Sequence, residues 1–277
     1  MTLKNLTLYF FFIFLNVSCS HLFYHPDQHL YNTPEQFKIN FDQLKFNSAD
    51  GVELVAWHLK SKGKPKGLIM LFHGNAENIS SHFKGMIWAV EAGYDLYIFD
   101  YRGYGLSKGK PSQDDIQVDA QSALKHAHNI AHQRRVNNFV IHGQSLGGII
   151  ATQLLTNKMN QENVDLLILE STFSSYQDLA FDKLKSYWMT FLLSPLAYVL
   201  VSDTNAPEKN LKKIKIPTIV IHSKEDRVVP YEFGEVLYNS LDTKKWFWSL
   251  ESGKHLEAFF VNHKKLQNKL LKQLKVL

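Results

Sequence analysis

The stretch FVIHGQSLGG, residues 139–148, determines the fold that this sequence predicts. Its first four residues form an apolar run, Gly-x-Ser-x-Gly follows at 143–147, and helical spacing begins directly behind it. A strand that turns sharply into a helix holds the middle residue, Ser145, in a strained conformation, and glycine flanks let strand and helix approach closely. The stretch therefore predicts a buried strand, a tight turn and a helix. The alternative is a glycine-rich turn whose serine is idle.

Short apolar runs of this kind recur along the chain and predict a buried sheet. The runs that predict strands are residues 44–46, 52–59, 67–72, 96–99, 139–142, 164–169, 218–222 and 246–250. The first two runs flank Asp50-Gly51, a dipeptide typical of hairpins. Continuous apolar runs are typical of strands that are buried on both faces, as in parallel sheets.

Helical patterns lie between these runs. Apolar residues recur at helical spacing from Ile116 to Ala131 behind Ser112, a suitable N-cap, and again from Leu256 to Leu274. Strands that alternate with helices indicate a mostly parallel sheet with helices on both faces. The sequence therefore predicts the α/β fold class, one domain over residues 44–277, and chemistry at the carboxyl ends of the strands.

The composition excludes several classes of protein and several kinds of site. Of the 277 residues 45% are hydrophobic, which is enough for a sizeable core. The net charge of +5 is too small to indicate a nucleic-acid partner by itself, so none is expected. Cys19 is the single cysteine, which excludes an intramolecular disulfide and a cysteine-based zinc site. No metal and no cofactor are expected, because the histidines show no metal-ligand spacing.

The first 20 residues indicate an export signal. Lys4 is their only charge, and the apolar run from Leu6 to Leu15 is too short for a membrane-spanning helix. The stretch around Cys19, LNVSC, resembles the lipobox of bacterial lipoproteins, although Asn16 stands where an aliphatic residue is usual. We expect a signal peptide over 1–18, lipidation of Cys19, a tether over 19–43, and a protein lipid-anchored in the bacterial cell envelope. An uncleaved signal anchor and an ordinary cleaved signal are the alternatives.

The serine in the turn needs partners before it can act as a nucleophile. A histidine must take its proton, and a carboxylate must orient that histidine. In a sheet of this kind the partners follow in the order serine, acid, histidine, in loops after late strands. Asp226 follows the run 218–222 and His255 follows the run 246–250, so order and location are both met. Glu170, at the end of an earlier run, is the competing acid, and Asp226 is favoured because Val229-Pro230 follows it.

Two backbone N–H groups are expected to stabilise the negative oxygen that such a nucleophile generates. One belongs to Leu146, the residue directly after the serine. The other belongs to Asn75, in the loop His73-Gly74-Asn75 that follows the apolar run 67–72. Leu146 and Asn75 are therefore the candidate oxyanion-hole residues.

Six stretches of the body together resemble one known family. They are HGNAEN (73–78), FDYRGYGLSKGKPS (99–112), GQSLGG (143–148), LESTFSS (169–175), SKEDRVVP (223–230) and the loop around His255. On these stretches the chain resembles the α/β-hydrolase superfamily, in the serine-aminopeptidase-like branch that includes eukaryotic hydrolase-domain proteins and protein depalmitoylases. The resemblance spans nearly the whole body. It implies the α/β-hydrolase fold with a small cap insertion at about residues 171–207.

The resemblance also implies a serine hydrolase that cleaves carboxylic esters through an acyl-enzyme on Ser145. The expected substrate is a small-molecule or lipid-like ester. Alternatives are a thioesterase or depalmitoylase-like enzyme, a serine peptidase with the same residues, and a non-enzymatic envelope binding protein. Within the cap, residues 187–200 (YWMTFLLSPLAYVL) are apolar on nearly all sides. They either pack on the sheet or line an acyl-binding groove, and both interpretations are open.

Overall fold

A computed structural model of the chain describes residues 23–260 and 264–276. The predicted signal peptide and Cys19 lie outside the described residues. Eight strands form one sheet: β1 (Asn40–Asn47), β2 (Glu53–Lys60), β3 (Leu68–Phe72), β4 (Asp95–Phe99), β5 (Phe139–Gln144), β6 (Leu166–Glu170), β7 (Thr218–Ser223) and β8 (Lys245–Leu250). Their order is β1-β2-β4-β3-β5-β6-β7-β8, with β2 antiparallel to both its neighbours and the other pairs parallel.

Helices cover both faces of this sheet. The α-helices are α1 (Ile79–His82), α2 (Ile87–Glu91), α3 (Gln113–Arg134), α4 (Leu146–Leu155), α5 (Tyr176–Ser186), α6 (Ala197–Leu200), α7 (Tyr231–Ser240) and α8 (Lys264–Leu274). Short 3₁₀ helices span Pro34–Phe37, Phe83–Met86, Lys158–Gln161, Phe191–Leu196 and Glu208–Lys213. Helix α3 begins as predicted, because the Ser112 hydroxyl accepts a hydrogen bond from the Asp115 N–H at 3.2 Å.

The two cores explain the continuous apolar runs. On β3, Met70 and Phe72 pack in one core with α3, α4 and α7, whereas Ile69 and Leu71 pack in the other with α2 and α8. Alternate side chains of a strand point to opposite faces, so a strand with helices on both sides needs apolar residues at every position. The predicted α/β-hydrolase fold is confirmed.

The predicted tether, residues 19–43, differs from the structure over its described part. The Tyr24 side chain is buried in the core, at 2% exposure. The His25 N–H donates to Asn75 Oδ1 at 2.9 Å, and the Gly105 N–H donates to the Asp27 carbonyl at 2.8 Å. Residues 23–31 therefore form part of the body, and β1 begins at Asn40 rather than at residue 44.

The predicted C-terminal helix is shorter than its apolar spacing suggests. Residues 256–260 form turns, and α8 begins at Lys264. Gly253 has φ +115° and Leu256 has φ +60°, backbone conformations that no α-helix contains. Ala258 and Phe259 are nevertheless buried in the core beside α2 and α8. Residues 256–260 show helical spacing in the sequence because this loop packs two apolar side chains, Ala258 and Phe259, in the core.

In the described part of the chain, every helix is too short or too polar to cross a membrane.

Candidate active site

Ser145 lies in the sharp turn between β5 and α4. Its φ is +51° and its ψ is −118°, a conformation that L-residues rarely adopt, and its side chain is 7% exposed. Two hydrogen bonds from the end of β6 fix the turn. The Ser145 N–H donates to the Glu170 carbonyl at 2.9 Å, and the Thr172 hydroxyl donates to the Ser145 carbonyl at 2.6 Å. The neighbouring strand thus stabilises the strained serine.

The glycines around Ser145 allow backbones to approach more closely than any side chain permits. A Cβ atom on Gly143 would lie 2.6 Å from the Gly148 Cα. A Cβ atom on Gly147 would lie 2.1 Å from the Phe72 carbonyl oxygen, at the end of β3. These neighbours are backbone atoms of the central strands and the helix, which cannot rotate aside as a side chain can. Glycine is therefore a steric requirement at both positions.

Gly147→Ala is expected to lower the free energy of unfolding by more than about 3 kcal/mol, because the methyl group must displace the end of a central strand. Urea denaturation followed by circular dichroism measures the loss. The matched control is Gly85→Ala, since a Cβ atom on Gly85 meets nothing within 4 Å. The control should change stability by less than about 1 kcal/mol. Equal stability of the two variants would show that the Ser145 turn tolerates a side chain at position 147.

Asp226 and His255 meet in the loops after β7 and β8. The His255 Nδ1 lies 2.7 Å from Asp226 Oδ2. Asp226 Oδ1 accepts the N–H groups of Val228 and Val229, each at 2.9 Å. Burial alone would raise the pKa of Asp226, but the hydrogen bonds from His255 and from the Val229 N–H outweigh it and lower the pKa. The ionised carboxylate keeps the ring proton on Nδ1, which leaves Nε2 free to accept a proton.

The two loops are also tied together through Gly253. The Ser223 hydroxyl donates to the Gly253 carbonyl at 2.5 Å, and the Gly253 N–H donates to Glu225 Oε2 at 3.1 Å. Glu225 therefore holds the backbone of the His255 loop rather than the imidazole. Leu256, directly after His255, has a positive φ, so this loop stores strain of the kind that is common at functional sites.

Glu170, the competing acid in the sequence, has other partners. His142 Nε2 donates to Glu170 Oε2 at 3.0 Å, and Gln144 Nε2 donates to the same oxygen at 2.9 Å. Burial alone would raise the pKa of Glu170, but the hydrogen bond from His142 contributes most to lowering it instead. The Ala258 N–H donates to Glu170 Oε1 at 3.2 Å. Glu170 thus supports the loop that follows His255, and the structure brings Asp226 to the imidazole.

The loop after β3 reaches the Ser145 turn. A Cβ atom on Gly74 would lie 3.7 Å from Ser145 Cβ and 3.3 Å from Leu256 Cδ1. The Ser145 turn, the loop after β3 and the His255 loop therefore meet at one point. The hydrogen bonds among residues 23–260 and 264–276 include that of His255 Nδ1 with Asp226 Oδ2 but none from the Ser145 hydroxyl. Contacts between nucleophile and base are often long in unliganded enzymes and tighten in the substrate complex.

The two candidate oxyanion donors differ in how they are held. Leu146 is the first residue of α4, and the first N–H groups of a helix have no partner within the helix. Asn75 is fixed by its side chain, because Oδ1 accepts both the His25 N–H at 2.9 Å and the Tyr104 hydroxyl at 3.0 Å. No pattern in the sequence indicates the contact with His25, because it links two loops 50 residues apart.

Buried polar residues also support the loop after β3. His73 Nδ1 donates to the Gly74 carbonyl at 2.8 Å, and the Tyr101 hydroxyl donates to the His73 carbonyl at 3.1 Å. Asp100 Oδ1 accepts the Ile79 N–H at 2.9 Å, and burial raises the pKa of Asp100 to about 7.

Across the described ranges, no three His, Cys, Asp or Glu side chains are grouped so that they could hold a metal ion.

A family model described as serine aminopeptidase, S33, matches residues 63–206, just over half of the chain. The chain belongs to this family of α/β-hydrolases. The YfhR protein of Escherichia coli (strain K12) is 31% identical over 248 residues, which is 87% of this chain and 81% of that protein. The lysophosphatidylserine lipase ABHD12 of Mus musculus is 31% identical over 194 residues, which is 66% of this chain but only 47% of the lipase.

Solved structures show the same fold at lower sequence identity. The Pyrococcus furiosus esterase Pf2001 superposes with a TM-score of 0.75 at 17% identity, covering 91% of this chain and 97% of the esterase. An esterase from Exiguobacterium antarcticum superposes with a TM-score of 0.61 at 21% identity, covering 84% of this chain and all of the esterase. These neighbours show the α/β-hydrolase fold, and the family match supports hydrolase activity.

Proposed function

We propose that this protein is a serine hydrolase that cleaves carboxylic esters through an acyl-enzyme. The observation that supports this most directly is the 2.7 Å contact between His255 Nδ1 and Asp226 Oδ2, in loops that meet the strained Ser145 turn. A histidine held by an ionised carboxylate beside a serine of this kind is the arrangement that acyl transfer needs. Each loop is fixed by its own hydrogen bonds, so the arrangement is preorganised.

The proposed reaction has two steps. His255 Nε2 takes the hydroxyl proton as Ser145 Oγ attacks the ester carbonyl, and Asp226 stabilises the imidazolium that forms. The N–H groups of Leu146 and Asn75 donate to the oxyanion of the tetrahedral intermediate. The imidazolium then protonates the alcohol as it leaves, and the acyl group stays on Ser145. Water, deprotonated by His255, attacks the acyl-enzyme and releases the carboxylic acid.

The leaving group decides between this proposal and its alternatives. A panel of p-nitrophenyl acyl esters, acyl thioesters and aminoacyl p-nitroanilides of matched length should show the highest kcat/KM for the esters. Fluorophosphonate labelling followed by peptide mass spectrometry should place the probe on Ser145. A clear preference for thioesters or for anilides would replace the ester assignment, and failure of the probe to react would support a binding protein instead.

We also propose that the chain is exported and lipid-anchored through Cys19 in a bacterial cell envelope. This proposal is supported by the sequence around Cys19 and by the apolar run from Leu6 to Leu15. The first described residue, Phe23, packs on Tyr176 at the start of the cap, so the chain enters the body there. Mass spectrometry of the N-terminal peptide from membranes detects the lipid, and an unmodified Cys19 would contradict the proposal.

A further inference from the structure

The cap carries a large apolar surface, which the interpretation that residues 187–200 pack on the sheet did not anticipate. Between residues 187 and 200, ten large apolar side chains are 45–88% exposed. They are Tyr187, Trp188, Met189, Phe191, Leu192, Leu193, Leu196, Tyr198, Val199 and Leu200. The prediction that this stretch packs on the sheet is therefore wrong for its large side chains. We call these ten residues the cap surface.

Exposing an apolar surface of this kind to water costs free energy, so a partner that covers the surface is favoured. Contiguous exposed apolar patches on soluble proteins mark sites where another protein or a membrane binds. No charged residue occurs from Ser186 to Ser202, so the cap surface offers nothing for a charged partner to pair with. Trp188, Tyr187 and Tyr198 are of the types that are enriched where membrane proteins meet the lipid headgroups. Apolar side chains bordered by Trp and Tyr fit a lipid bilayer.

The course of the chain points to the same occupant. The Phe23 ring packs edge-to-face on Tyr176, the first residue of α5, with 5.2 Å between the ring centroids. Phe23, the first described residue, thus lies at the base of the cap. The apolar run from Leu6 to Leu15 precedes it in the sequence, so the part of the chain that is predicted to meet a membrane joins the body beside the cap.

The cap also connects with the candidate active site. The Lys183 ammonium group, in the last turn of α5, donates to the Arg227 carbonyl at 3.1 Å. Arg227 directly follows Asp226, so the cap helix contacts the loop that holds His255. Helix α5, which leads into the cap surface, therefore contacts a loop that lines the pocket around His255.

We propose that the cap surface, residues 187–200, is a membrane-docking surface that inserts into the headgroup and upper acyl region of a lipid bilayer. Apolar burial drives the insertion, and Phe23, where the described chain begins, packs on the first residue of the cap helix α5. This inference does not depend on the proposed ester hydrolysis, because it concerns binding alone, and the Cys19→Ser variant tests it without the proposed lipid anchor.

The test measures lipid contact at one residue of the full chain. Cys19→Ser leaves no other cysteine, and Leu192→Cys then carries an environment-sensitive NBD fluorophore. On phosphatidylcholine vesicles its emission should shift to the blue and increase roughly threefold or more, and lipids brominated near the headgroup should quench it, as expected for an interfacial residue. The matched control is Met159→Cys, because Met159 is 75% exposed but lies before β6, at the opposite end of the sheet. Its emission should not change.

Three results would overturn the proposal. One is equal emission changes at positions 192 and 159, which would indicate general adsorption. Another is no change at 192 while the chain sediments with the vesicles. The third is a blue shift at 192 that depends on protein concentration without lipid, which would assign the cap surface to a second copy of the chain. The same measurements in a Ser145→Ala background should give the same result, which separates docking from catalysis.

Discussion

Ser145→Ala is expected to lower kcat for p-nitrophenyl ester hydrolysis by roughly 10⁴- to 10⁶-fold and to abolish fluorophosphonate labelling. The expected loss is large because the acyl-enzyme cannot form without the hydroxyl, whatever the remaining groups do. KM should change little, since the removed oxygen contributes to the reaction rather than to binding. Steady-state kinetics with a short-chain ester, together with gel detection of the probe, measure both effects.

The control for this prediction is another buried serine at the same edge of the sheet. Ser174 follows β6 and is 4% exposed, but the turn that strains Ser145 does not include it. Ser174→Ala should keep the labelling and at least roughly a third of kcat, because a buried hydroxyl removed away from the reacting atoms affects mainly stability. Full activity in Ser145→Ala would assign the chemistry to another residue.

The sequence predicted the sheet well because parallel strands have a simple pattern. Every residue of β3, β5 and β6 is buried, and each strand begins with an apolar run, with polar residues only toward the carboxyl ends of β5 and β6. The Ser145 turn was equally clear, because Gly143 and Gly147 are required by backbone approach and no other residue can replace them without strain. Features that a short segment determines by itself could be predicted.

Features that depend on contacts between distant segments could not be predicted from the sequence. Tyr24 is buried through contacts with residues such as Tyr176, 152 positions away, and a lone aromatic residue in a loop has no periodicity. Leu256 to Phe260 showed helical spacing, but two of these side chains are buried by a turn. The exposure of the cap surface was equally hidden, because an apolar stretch looks the same whether it packs on the sheet or faces outward.

The sequence around Val229-Pro230 favoured Asp226 over Glu170, but the physical reason for the choice lies in contacts between distant segments. Both acids follow a buried strand, at or just after its carboxyl end, so position alone favours neither. The difference is that neighbouring β5 supplies His142 and Gln144 to the Glu170 carboxylate, whereas the loop after β7 turns Asp226 toward His255. Strand order in the sheet decides which partners each acid meets.

Asp226→Asn is therefore expected to lower kcat by roughly 10³- to 10⁴-fold with little change in KM. The Val228 and Val229 N–H groups both donate to Oδ1, so the amide oxygen of the new side chain must take that position. Its NH₂ group then faces His255 Nδ1, where the carboxylate oxygen now lies 2.7 Å away. A donor at that position requires Nδ1 to be an acceptor, which moves the ring proton to Nε2. The imidazole can then no longer take the serine proton.

Glu170→Gln separates this tautomer effect from a general loss of support. Its amide can keep the acceptor for the Ala258 N–H, so the loop after His255 stays in place and kcat should fall by no more than about tenfold. The substitution should instead lower the stability of the protein against unfolding, because an NH₂ group would face the donors of His142 and Gln144. Thermal unfolding and kcat measured on both variants test the assignment. A larger kcat loss in Glu170→Gln than in Asp226→Asn would make Glu170 the acid that orients His255, because only the orienting acid sets the position of the ring proton.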